Sequence, residues 1–110
     1  MEEMKKKTIL TPASLIDYAQ GGIVSKELIH TNTGNITFFA IDEGQKISEH
    51  SAPFDATVMI VEGEAEIIIG GEPFILKAGE MIVMPANEPH ALNAVKAFKM
   101  MLIMIRSLAK

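Results

Sequence analysis

Apolar residues run through most of the chain in short blocks separated by turn residues. Blocks 57–61, 65–69, 74–76 and 81–84 are punctuated by Glu62 with Gly63, Gly70 with Gly71, and Ala78 with Gly79. Short blocks with turns at such intervals predict many short antiparallel strands, as a sandwich or barrel. Upstream, 24–30 and 36–41 are β-branched or aromatic and meet across Asn32, Thr33 and Gly34, a loop suited to positive φ, so they predict a hairpin. Gly70 with Gly71 is a strong two-residue hairpin signal. The start of the chain differs: Thr11 can cap, Pro12 suits a first helical position, and 13–18 predicts about two helical turns before Gly21 and Gly22 end them. The last segment admits two readings. Leu92, Val95, Phe98, Leu102 and Ile105 recur at helical spacing, yet 100–105 is apolar on every face, which a strand buried on both faces explains equally well.

No repeat, low-complexity tract or linker divides the sequence, and 110 residues predict one domain over 1–110. A chain of this length buries roughly two thirds of its unfolded surface, enough for a core without covalent staples. Cysteine is absent, which excludes disulfides, thiolate metal clusters and a cysteine nucleophile, and fits a reducing compartment. Ten Lys and Arg against 14 Asp and Glu give a net charge of -4 with no basic stripe, arguing against nucleic acid as a partner. The longest apolar run, 100–105, falls far short of the roughly 18 residues of a membrane span. Lys5, Lys6 and Lys7 before 8–16 imitate a secretory leader, but Thr8, Thr11, Pro12 and Ser14 interrupt it and no small-residue cleavage site follows. A cytoplasmic protein is expected.

Two stretches carry candidate chemistry. In the first, Gly44 is followed after five residues by His50 and then by Gly63; in the second, Gly79 is followed after five residues by Pro85 and then by His90. Together they resemble the two motifs of the cupin superfamily, over about residues 36–105, in its small single-domain conserved-barrel (cupin type 2) form. The resemblance implies an all-β fold, a single small jelly-roll barrel with a short N-terminal helical turn, with motif one at about 44–63 and motif two at about 79–94. It also makes 100–105 the closing strand. Local chemistry supports the positions independently: Gly63 and Gly79 sit between apolar runs where a reversal favours glycine, and Pro85 offers no amide to extend a ladder. Asn87 stands where the family usually has glycine, and tolerates a left-handed conformation.

Metal-holding cupins typically supply two histidines one residue apart and a glutamate from the first motif, with a third histidine from the second. Here His50 and His90 match, whereas Ala52 and Ala56 occupy the second histidine and glutamate positions, and Ala94 replaces the polar residue that closes motif two. The resemblance thus implies a site smaller in chemistry and larger in volume. On it, His50 and His90 face the interior. Three roles stay open for them: core histidines bonded to backbone or water, ligands of a metal completed by water or substrate, or acid/base groups without metal. Of the nearby carboxylates, alternation turns Glu49 outward, and Asp55 reaches inward only through a bulge. His30 reads as a solvated surface residue, Tyr18 as a packing residue, and Glu62, Glu64 and Glu66 as a solvated rim. Some methionines, Met59 and Met84 among them, are expected to line an adaptable apolar pocket beside the histidines.

The resulting expectation is a barrel that binds a small molecule through His50, His90, Met59 and Met84, around a degenerate metal site. The alternative is a metal-dependent enzyme of the dioxygenase, isomerase or decarboxylase type, with substrate completing the coordination. Two neutral imidazoles supply no anionic charge, so the expected cofactor is none or a weakly held divalent transition metal (Zn, Ni, Cu, Fe or Mn). A homodimer is expected because a barrel interior can absorb only one face of 100–105. That leaves either Met101 with Ile103 or Met100 with Leu102 outside.

Overall fold

Eight antiparallel strands make up the body of the computed structural model, which describes residues 6–106; residues 1–5 and 107–110 of the expected domain lie outside those described. The strands are β1 (Ile23–Thr31), β2 (Gly34–Ile41), β3 (Lys46–His50), β4 (Ala56–Ile69), β5 (Glu72–Lys77), β6 (Met81–Met84), β7 (His90–Asn93) and β8 (Phe98–Ile105). One half of the curled sheet runs β1-β2-β8-β4-β6 and the other runs β5-β4-β7-β3. The all-β expectation and the two hairpins read from the sequence are therefore present.

The two halves share β4. Its first part pairs with β6 and β8, and its second part, from Glu64, pairs with β5 and β7. Glu62 with Gly63 was expected to be a turn between two strands; instead it lies inside one strand of 14 residues. The register slips between Ile60 and Glu62, a bulge that bends the strand from one half to the other. Gly63 sits at φ +83, and a Cβ there would run into the carbonyl oxygen of Ala97 and come within 2.9 Å of Phe98 Cα. Glycine is required at this point because β4 bends against the start of β8.

β8 is a strand, and it lies between β2 and β4 with 98–104 buried or half-buried on both faces and Ile105 exposed. Met100, Leu102 and Met104 point inward to the cavity described below, while Met101 lies on the outer face against Phe38. That two-sided burial is why the segment is apolar at every position and imitates a helix. Ile41, Val58, Ile60, Ile67, Phe98 and Met100 are almost fully enclosed in the main core.

The N-terminal segment is shorter in helix than expected. Only Pro12–Ser14 forms a 3-10 turn, and Thr11 makes no side-chain cap. A helix this short has too few hydrogen bonds to sustain itself, and the apolar residues gain more by lying on the sheet. Leu15, Ile16 and Tyr18 pack on the outer face against Phe38, Ala40, Val61 and Met101. A polar clasp holds them there. Tyr18 donates its hydroxyl proton to Glu62 at 2.8 Å, and buried Lys99 donates to the Ala13 carbonyl at 2.6 Å. The Lys99 ammonium also lies 5.0 Å from the Tyr18 ring centroid and 3.8 Å from Glu62. Burial, reinforced by Glu62, pushes the Tyr18 phenol well above its ordinary range. Glu62, Glu64 and Glu66 are thus not a solvated rim: all three are half-buried, Glu62 inside the clasp and Glu66 accepting from Asn93 at 2.9 Å.

Gly63→Ala is expected to destabilise the fold by about 3 kcal/mol, since it adds positive-φ strain to a clash with backbone. Urea unfolding of the variant checks this; a loss below roughly 1 kcal/mol would show that the bend relaxes freely.

Candidate functional site

The inner faces enclose a cavity of about 310 Å³. Strand alternation delivers its walls: Met100, Leu102 and Met104 from β8, Ala56 and Val58 from β4, and His90 and Leu92 from β7, each set at a spacing of two. Met84 closes it from β6, and Phe39 from β2. On β3 the spacing is different. Ile47 and His50 both line the cavity although they are three residues apart, which a regular strand forbids. The register between β3 and β7 slips between these two residues, and this bulge turns His50 inward.

His50 and His90 are cross-strand partners with ring centroids 4.4 Å apart, edge to face at 69°. His50 is exposed, so it marks the mouth; His90 is 5% exposed and lies deeper. Each ring is tethered by the carbonyl two residues before it: His50 Nδ1 lies 2.8 Å from the Ser48 oxygen, and His90 Nδ1 lies 3.3 Å from the Glu88 oxygen. A carbonyl only accepts, so each Nδ1 carries a proton and each neutral ring presents Nε2 as a lone pair. No polar side-chain atom among the described residues is both sealed from solvent and without a hydrogen bond. His90 Nε2 makes no hydrogen bond among the described residues, and therefore remains open to the cavity. Burial, with His50 nearby, lowers the His90 pKa below its ordinary 6.5.

The remaining candidates fall as follows. Ala52 and Ala56 line the cavity with methyl groups. Met84 lines it too, but Met59 does not: it pairs with Met81 and Met101 on the outer face. Asp55 is exposed and accepts the Ala86 amide proton at 2.8 Å, so it stabilises the loop after β6. Glu49 is exposed and lines no part of the cavity. His30 is exposed and pairs with Glu27 at 2.8 Å. Asn87 adopts φ +68, the left-handed conformation expected of it, and its amide donates to the Ala52 carbonyl at 2.7 Å, tying the two motifs together. Sequence reasoning did not single out Phe39, Ile47, Val58, Leu92 or Leu102 as cavity residues. The alternation along β8 would have identified Leu102, with Met100 and Met104, once that segment was taken as a strand.

A metal centre of the four-ligand kind does not fit these residues. Among the described residues no three His, Cys, Asp or Glu side chains come together to hold an ion. Two imidazoles can retain a transition metal only weakly.

The chain belongs to the cupin family: residues 37–106 match the model of the cupin domain. It is similar to a conserved protein of unknown function from Streptococcus pyogenes, at 39% identity and TM-score 0.91, covering 96% of this chain and 93% of that one. A cupin 2 conserved barrel domain protein from Leptotrichia buccalis is 40% identical with TM-score 0.83; the match covers 86% of this chain and 46% of that one. Salicylate 1,2-dioxygenase from Pseudoaminobacter salicylatoxidans, 18% identical with TM-score 0.72, shares the fold over 77% of this chain and 25% of its own. No curated protein matches the chain. No helix among the described residues is long and apolar enough to cross a membrane.

The depressed His90 pKa fixes the sign of one pH effect. The unfolded chain takes up this proton more readily than the folded one, so stability is full above about pH 6.5 and falls as pH drops from there toward the folded pKa. Proton NMR titration of metal-free protein should show His90 titrating below 6.5, with urea stability declining over the same interval. A His90 resonance titrating above 6.5 would contradict the assigned environment.

Proposed function

We propose that this cupin is a small-molecule-binding barrel whose metal site has degenerated to two histidines. The observation that carries the reading is the cavity itself: two tethered imidazoles at one end of an otherwise apolar chamber, with Ala52 and Ala56 where a metal-holding cupin would supply ligands. Its volume lies at the low end of the ~300–1,000 Å³ typical of small-molecule sites. His50 and His90 orient the ligand, and the side chains from β8, β4 and β6 enclose it. Any metal is an accessory, held weakly, and of the kind imidazole favours: zinc, nickel or copper rather than magnesium or calcium.

A metal-dependent enzyme of the dioxygenase, isomerase or decarboxylase type is the second reading. It draws on the fold shared with salicylate 1,2-dioxygenase and on the two open Nε2 atoms, with substrate completing the coordination. Among the described residues no carboxylate lines the cavity, which weighs against it.

We further propose pairing with a second copy. Ile29, Met81 and Val83 are exposed; Ile29 pairs with Ile36, which pairs with Ile103, and Met81 pairs with Met59, so apolar residues lie along the outer face of β1, β2, β8, β4 and β6, with Thr57 between Ile103 and Val83. Of the two sets expected from the sequence, Met101 with Ile103 is the one on this face.

Elemental analysis of protein purified without an affinity tag should find metal below one equivalent and lost to chelator, in a sample that sediments as a dimer at micromolar concentration. His50→Ala and His90→Ala should each abolish residual metal uptake in calorimetry at little cost to the fold. One equivalent surviving chelator would reject the degenerate site and favour the enzyme; a monomer would reject the pairing.

A further inference from the structure

The geometry points to a ligand class: an apolar molecule whose one polar end is a hydroxyl, donated to His90 Nε2, with carboxylates rejected. This rests on the small-molecule reading above and deepens it.

Polarity at the cavity's one polar end is set by the backbone. Because Ser48 O and Glu88 O each occupy an Nδ1–H, both rings offer the cavity acceptors only. Among the described residues no Lys or Arg lines the chamber, so a carboxylate would enter an apolar space facing lone pairs, with neither a donor nor a positive charge to meet it. An ammonium could donate, but no carboxylate among the described residues lines the cavity to offset its desolvation. A hydrocarbon would strip solvent from His90 Nε2 and leave that nitrogen without a partner. A hydroxyl avoids all three costs, since its proton goes to His90 and its oxygen needs no strong donor.

His50 need not share that bond. It is exposed, and its Nε2 can remain hydrated at the mouth while its ring packs edge to face on His90. The body of the ligand then lies against Met84, Met100 and Met104, whose flexible thioethers adapt to irregular shapes. At a water's ~30 Å³ per group, the cavity admits about ten non-hydrogen atoms.

Three probes within that size test this on the full, chelator-treated chain: 4-propylphenol, propylbenzene and 4-methylbenzoate, titrated by NMR. The phenol is expected to bind about fivefold more tightly than propylbenzene and more than about tenfold more tightly than the benzoate. His90→Leu should erase the phenol's advantage over propylbenzene, and His30→Gln, at an exposed histidine outside the cavity lining, should keep it. Should His90→Leu not fold, the wild-type comparison still decides. Equal or tighter binding of the benzoate, or no preference between phenol and hydrocarbon, overturns the inference while the small-molecule reading stands. No binding of any probe up to about 1 mM overturns both.

Discussion

β4 belongs to both halves of the molecule, and everything else is arranged by the bend that lets it do so. One strand pairs with β6 and β8 at its start and with β5 and β7 at its end, so the sheet must curl where the pairing changes. The curl brings β3 and β7 to face β8, and the cavity is the space between. Gly63 permits this because no side chain fits between the bulged strand and the backbone at Ala97 and Phe98. The clasp of Tyr18, Glu62 and Lys99 closes the outer face over the same stretch, so the bend is held from outside by polar contacts and from inside by the core.

Much of this was legible in the sequence. Short apolar blocks with glycine punctuation gave the strands, Gly70 with Gly71 gave the hairpin, and Asn87 showed the left-handed position that ties the loop after β6 to Ala52. What was not legible depended on register. Gly63 between two apolar blocks looks the same whether the chain reverses or bulges, because both need positive φ; only the partner strands decide. The N-terminal residues carry helical signals, but their apolar side chains find a better surface on the sheet. Met59 and Met84 are alike in composition and differ only in the face that β4 and β6 present.

The site was legible in its identities and not in its geometry. The two histidines and the two alanines were assigned by motif, but alternation alone could not reveal that β3 bulges before His50 to aim it inward. Nor could the sequence show that Ser48 and Glu88 supply the carbonyls that tether the rings. Those tethers govern the chemistry. Ala52 and Ala56 contribute methyl groups to the lining, and the histidine pair ends an apolar chamber with two fixed acceptors. The lowered His90 pKa follows from the same burial, which disfavours the charged ring.

The account therefore turns on where two protons sit, and long-range proton–nitrogen correlation NMR of the imidazole rings reads this directly in chelator-treated protein at about pH 8, above the ordinary histidine range. It should find both rings neutral with the proton on Nδ1 and Nε2 unprotonated. A proton on Nε2 of His90 would turn the acceptor into a donor and contradict the account.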